Sequence, residues 1–261
     1  MSNELQNGSI ENNRRIILIA DYGRSGQGWL SYMLCYILNA TFIEPYNALA
    51  GIKYTSNPHI LALTQGRLAN RNLTEYLFII KTHEIPAINF NLTDKIIYLT
   101  RDPRDIAVSA FFRNKIIYKK NKGPQQLRMT SLKDLTKQIL LQIKIISFSL
   151  TAVKWKKYVL AWENVSKYNV RYEDLSINTF ESLKSILDYL KVEINDNLIS
   201  EAIENFSFKK LTNRKKGEED VENPEFRKGV IGDYKNHFTK YHLKLFKWIC
   251  GDVSKGFGYH I

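Results

Sequence analysis

Residues Ile16 to Ala20 (IILIA) are apolar without interruption. A run that short, with no polar alternation, is the pattern of a parallel strand covered on both faces. Beyond it come Gly23, Gly26 and Gly28, and then Trp29, Leu30, Met33, Leu34, Ile37 and Leu38 at helical spacing. The segment reads as strand, tight loop, helix, a layout that aims loop N–H groups and a helix N-terminus at an anion. Similar strands are predicted at 76–81 (YLFIIK), 95–100 (KIIYLT) and 168–173 (YNVRYE). Helical patterns lie between them, the longest from about 132 to 162. Strands alternating with helices imply a single α/β domain with a central parallel β-sheet flanked by helices in three layers. Polar residues 1–13 are expected to be a disordered tail ahead of a domain over 14–261. Residues 212–232 are charged and contain Gly and Pro. They predict a long loop, and loops of that length are often functional.

Composition narrows the class of partner. Of 261 residues 44% are apolar, enough for a substantial core. Lys and Arg number 38 against 26 Asp and Glu, and the net charge of +12 favours anionic partners. The two cysteines, Cys35 and Cys250, are too few and too far apart for a disulfide framework or a zinc site. The N-terminal residues lack the apolar core of a signal peptide. The longest apolar-rich stretch, 139–153, is interrupted by Gln142 and Lys144 and is too short to span a bilayer. A cytoplasmic protein without a membrane segment is expected, and the Asn-x-Ser/Thr triplets at Asn72 and Asn91 are read as chance.

Gly23 to Gly28 satisfies the first half of the nucleotide-triphosphate loop signature, but Trp29 and Leu30 stand where Lys and Ser or Thr should follow. Magnesium-dependent nucleotide hydrolysis is therefore disfavoured, and a metal-free anion site is favoured. A second strand ends in Lys81-Thr82-His83, before Pro86. Titratable residues at a strand's carboxyl end sit where open α/β sheets bind ligands. There His83 can accept a proton and Lys81 can hold negative charge. A third strand ends at Arg101, Asp102-Pro103 opens a helix, and Ser109 follows two turns on. Arg227-Lys228-Gly229 make a basic tip on the long loop. Taken singly, each of these has a plain structural explanation.

As an ordered set they closely resemble the sulfotransferases that use 3′-phosphoadenosine 5′-phosphosulfate (PAPS), the cytosolic type in particular, with its P-loop-like fold. Tyr22 to Trp29 stands where the family has Y-P-K-S-G-T-T-W. Lys81-Thr82-His83 matches K-T-H, Arg101 and Ser109 match the 3′-phosphate motif, and Tyr172-Glu173-Asp174 matches Y-E-D. Arg227 to Thr239 matches R-K-G-x-x-G-D-W-K-N-x-F-T, with Tyr234 for Trp. The resemblance implies sulfuryl transfer from PAPS to a small-molecule acceptor, leaving 3′,5′-adenosine bisphosphate (PAP), with no metal required. It implies His83 as base, and Arg24, Lys81 and the N–H groups of Ser25, Gly26, Gln27 and Gly28 around the transferring group. It implies Trp29, Tyr172 and Phe208 about the adenine, and Arg101, Ser109, Arg227, Lys228 and Gly229 at the 3′-phosphate.

Departures from the pattern qualify these expectations. Arg24 replaces the usual Lys, so its role is electrostatic rather than proton-donating. Gln27 and Gly28 replace two threonines and leave more of the 5′-phosphate grip to backbone N–H groups. Lys240 and Lys244 replace Val and Glu of the animal dimer motif, so that dimer mode is not expected. The acceptor wall is expected from 42–65, with Phe42, Glu44, Tyr46, Tyr54 and His59, from the stretch after His83, and from 111–150. A natural product is the expected acceptor, with a carbohydrate or lipid as the alternative. Rival readings are a P-loop kinase, a PAPS-binding protein without catalysis, and a nucleic-acid binder suggested by the basic runs 113–122 and 209–216. Those runs match no nucleic-acid module and are read as solvated faces.

Overall fold

The computed structural model describes residues 16–43, 78–86, 93, 95–122, 133–220, 222–223 and 225–261. The tail 1–13, the acceptor-wall residues Glu44, Tyr46, Tyr54 and His59, and the triplets at Asn72 and Asn91 lie outside them.

Strand β1 (Ile16–Ala20) leads into helix α1 (Gln27–Leu38). Next come β2 (Thr41–Ile43), β3 (Phe78–Thr82), β4 (Lys95–Thr100), α2 (Pro103–Lys122) and α3 (Lys133–Ala161). The chain continues through β5 (Tyr168–Arg171), α4 (Tyr172–Ile177), α5 (Thr179–Leu190), α6 (Asp196–Asn205) and α7 (Phe208–Thr212). A 3₁₀ turn (Asp233–Asn236) and α8 (Lys240–Gly256) follow. The sheet order is β2-β3-β1-β4-β5, and every neighbouring pair is parallel.

Pleating sends alternate side chains to opposite layers. Ile17, Ile19, Ile97 and Leu99 pack under α1, α5 and α6, against Leu34, Leu183, Ile186 and Ile199. Leu18, Ala20 and Tyr98 pack on the other face with α2, α3 and α8, against Ile106, Trp155 and Phe246. Ile19 and Ile97 are fully buried, and each such side chain stabilises the fold by about 1.5–3 kcal/mol. Cys35 and Cys250 are buried free thiols in opposite layers.

Two elements differ from expectation. β5 stops at Arg171, two residues early, because Tyr172 opens a helix. Glu173 then turns inward, where its carboxylate accepts the N–H of Asp102 (3.0 Å) and the hydroxyl of Tyr259 (2.9 Å). Strand β2 was not foreseen, since three residues carry no readable period.

The topology locates the site. From β1 the chain leaves through α1 toward β2 on one side of the sheet. From β4, the neighbour of β1, it leaves through α2 and α3 toward β5 on the other. Open α/β sheets hold ligands in the crevice at such a reversal, outside the strands' carboxyl ends.

Candidate active site

The glycine-rich loop at the end of β1 curls through positive φ at Gly23 (100°), Arg24 (64°) and Gly26 (91°). Gly26 caps α1, and a Cβ there would meet the Tyr172 ring at 2.6 Å. Only glycine permits this backbone to lie flat on the aromatic face. The first residues of α1, whose N–H groups have no acceptor within the helix, line a cavity of about 850 Å³.

Most of the expected residues line that one cavity: Arg24, Gly26, Gln27, Gly28, Trp29, Lys81, His83, Arg101, Ser109, Tyr172, Phe208, Arg227, Lys228 and Gly229. Ser25 is the exception. It is buried under the loop, and its N–H points inward to Asp21 Oδ2 at 3.3 Å. Gln27 has a divided role. Its side-chain amide donates to the carbonyls of Ile19 and Thr82, bridging β1 and β3 (Thr82 at 3.2 Å), so its backbone N–H is the group it offers at the helix start.

Arg101 ties three elements together. Its guanidinium donates to the carbonyls of Arg24 (3.0 Å) and Val230 (3.1 Å) and lies 4.3 Å from the Tyr172 ring centre. Arg24 donates to Ser109 Oγ at 3.1 Å and pairs with Glu225 at 2.8 Å. Glu225 also meets Arg113 Nε at 3.2 Å. Burial pushes the Glu225 carboxyl up, but the two guanidinium groups outweigh it and leave the group more acidic than usual. Glu225 did not stand out in the sequence, and Arg113 did so only as the start of the basic run 113–122, read as a solvated face. A charged pair 112 residues apart has no local signal.

The indole N–H of Trp29 donates to the Phe206 carbonyl at 2.8 Å, and the ring meets Tyr172 edge-on, centres 6.5 Å apart. Phe208 lies under Gly229, where a Cβ would stand 2.6 Å from the ring and φ is 66°. Trp29, Tyr172 and Phe208 thus give the cavity an aromatic end. The long loop covers it. Its two arms join through Gly217 N–H to Lys228 O (2.9 Å) and Asp220 N–H to Arg227 O (3.0 Å), and Arg214 donates to Arg227 O at 2.9 Å. Asp105 anchors the loop's end, accepting the N–H groups of Gly232 (2.7 Å) and Tyr234 (2.9 Å). Arg227 and Lys228 are paired in this structure. Glu219 lies 2.9 Å from Arg227 and 3.4 Å from Lys228, and Asp233 contacts both. Burial pushes the Asp233 carboxyl up, yet Arg227 and Asn236 hold it well below the usual carboxylate range.

Lys81 and His83 line the same cavity. The Lys81 ammonium is 5.6 Å from the Phe42 ring centre. His83 Nδ1 lies 2.6 Å from Asp21 Oδ1 and 3.2 Å from the Asp21 carbonyl. Burial lowers the pKa of His83. The Asp21 contact and charge outweigh burial and the opposing Lys81 charge, so the imidazole is more basic than usual. Asp21 also escaped the sequence reading, because an Asp after a strand ordinarily marks a solvated turn.

Residues 14–258 match the sulfotransferase domain family. The chain belongs to that family. Its activity is that of a sulfotransferase. It is 26% identical to sulfotransferase 1E1 of Bos taurus over 243 residues, covering 85% of this chain and 78% of the bovine protein. It is 24% identical to sulfotransferase 2A2 of Rattus norvegicus over 261 residues, covering 92% and 85%. Among solved structures it shares its fold with mouse sulfotransferase SULT7A1 complexed with PAP (TM-score 0.53, 23% identity, 93% and 86% covered). It also shares it with retinol dehydratase in complex with androsterone and PAP (TM-score 0.58, 19% identity, 91% and 80% covered). Among the described residues of this sulfotransferase, no helix is long and apolar enough to cross a membrane.

Proposed function

We infer that this chain moves the sulfuryl group of PAPS to a hydroxyl or amine of a small metabolite by in-line displacement. The observation that carries this reading is one cavity lined by His83, by the cations Arg24, Lys81, Arg101, Arg227 and Lys228, by the start of α1 and by the rings of Trp29, Tyr172 and Phe208. His83 takes the acceptor proton as the new bond to sulfur forms. The bond from sulfur to the 5′-phosphate oxygen breaks, and its electron pair leaves with the phosphate. Arg24, Lys81 and the N–H groups of Gln27 and Gly28 stabilise the charge on the sulfuryl and leaving oxygens. Trp29, Tyr172 and Phe208 flank the adenine. Arg101, Ser109 and the Arg227–Gly229 tip take the 3′-phosphate, which supplies remote binding energy and excludes ATP.

The presence of PAP in the two solved relatives supports the donor assignment. Androsterone and retinol in the retinol dehydratase structures support an acceptor of small-molecule size. The test is label transfer from sulfur-labelled PAPS to a panel of phenols, sterols, alkaloids and sugars. A labelled product with the wild type and none with His83→Ala is expected. Arg101→Ala should mainly raise the KM for PAPS, and an unchanged KM would remove Arg101 from the 3′-phosphate site.

A further inference from the structure

A carboxylate is costly to bury alone, by several kcal/mol even after relaxation. Asp21 is nonetheless fully buried at the carboxyl end of β1. Its Oδ2 accepts the Ser25 N–H at 3.3 Å, and its Oδ1 lies 2.6 Å from His83 Nδ1. Aromatic rings gather near it. The Tyr22 and Tyr158 rings meet at 5.8 Å, and Tyr98 stacks on Tyr158 at 6.2 Å. Burial, and then the charge of Asp21, push the phenols of Tyr98 and Tyr158 upward, so both stay neutral. His83 itself is 34% exposed and faces the cavity. The pair therefore joins a fully buried carboxylate to an imidazole open to the cavity. Gln27 and the Asp21 N–H, which donates to the Thr82 carbonyl at 3.2 Å, lock the two strand ends that carry the pair.

We propose that Asp21 is a positioning residue for the transfer step: its carboxylate holds Nδ1 of His83, makes Nε2 the basic atom of the ring, and stabilises the imidazolium formed when that atom takes the acceptor's proton. The proposal rests on His83 being the base. The proton moves from the acceptor to Nε2 as oxygen or nitrogen bonds to sulfur, and Nδ1–H stays on the ring facing Asp21. Such an arrangement fixes the tautomer that a base needs. The other groups around the imidazole act in known directions. Lys81 on the same strand opposes protonation. Tyr22, Tyr98 and Tyr158 contribute no charge, and the backbone carbonyl of Glu84, next along the chain, accepts the Trp162 indole N–H at 3.3 Å. Asp21 is thus the group whose removal shifts His83 most.

The experiment combines Asp21→Asn with a ring-nitrogen NMR titration of His83, assigned by its loss in His83→Ala. In the wild type the neutral ring should be the Nδ1–H tautomer. In Asp21→Asn the His83 pKa should fall, and the acid limb of kcat against pH should move to lower pH with it. The plateau kcat should drop roughly 10–100-fold, part of the roughly 10²–10⁴ that a positioned base contributes, with the KM for PAPS nearly unchanged. An Nε2–H tautomer in the wild type, or an unmoved pKa in the variant, would overturn the proposal. The tautomer is read on the wild type, so a variant that fails to fold does not remove the test. A coupled pair in an enzyme that stays active as His83→Ala would instead count against the base assignment alone.

Discussion

At the scale of single residues, chemistry and backbone conformation can be tested separately. His83→Ala is expected to abolish turnover while leaving PAP affinity near wild type. A large loss of affinity would make His83 a binding residue. The wild-type rate should rise with pH through the His83 pKa, since only the neutral ring accepts a proton. That pKa lies above the ordinary 6.5, so half-maximal rate is expected above pH 6.5. Gly26→Ala should destabilise the fold by about 1–3 kcal/mol, from a left-handed backbone and a Cβ driven into Tyr172. Gly217 also has positive φ but open space around it, so Gly217→Ala should cost less in denaturant unfolding. Equal costs would mean the Tyr172 ring yields freely. The glycines, Lys81, His83 and Arg101 were readable because each sits at a strand end in a recognisable order. Asp21 was not. Its meaning depends on β3 lying beside β1, and nothing within a few residues announces that pairing.

At the scale of elements, the loop over 212–232 is the part whose state matters most. It was readable as a long loop from its charge and its Gly and Pro. Its outward pairing was not, because Glu225 reaches Arg24 and Arg113 only after the loop has folded onto the glycine loop and α2. Glu225 occupies both Arg24 and Arg113, one of which is assigned to the transferring group. Donor binding therefore competes with this contact. Glu225→Gln should tighten PAP binding by about two- to fivefold, the worth of one partly exposed ion pair. Weaker binding, measured by titration calorimetry, would mean that Glu225 instead holds the loop in its binding form. The strand at 168 shows a milder limit of sequence reading. YNVRYE has one uniform β pattern, and only the partners of Glu173 explain why the last two residues turn helical.

At the scale of the whole molecule, the alternation of short apolar strands with helices was enough to establish a parallel α/β sheet. The sheet order followed only from the register of β1 between β3 and β4. That order puts the glycine loop and Arg101 side by side, with His83 on the neighbouring strand. The net charge of +12 suits a highly anionic donor. The basic run 209–216 is partly spent on the site itself, since Arg214 holds the loop backbone and Lys216 lies 5.9 Å from the Trp29 ring centre. The measurement that bears most directly on the central claim is calorimetric titration with PAP, AMP and magnesium-ATP in parallel. A single tight site for PAP, with AMP and magnesium-ATP far weaker, is the predicted result. Preference for magnesium-ATP, or no binding of PAP, would contradict the assignment of this cavity to PAPS.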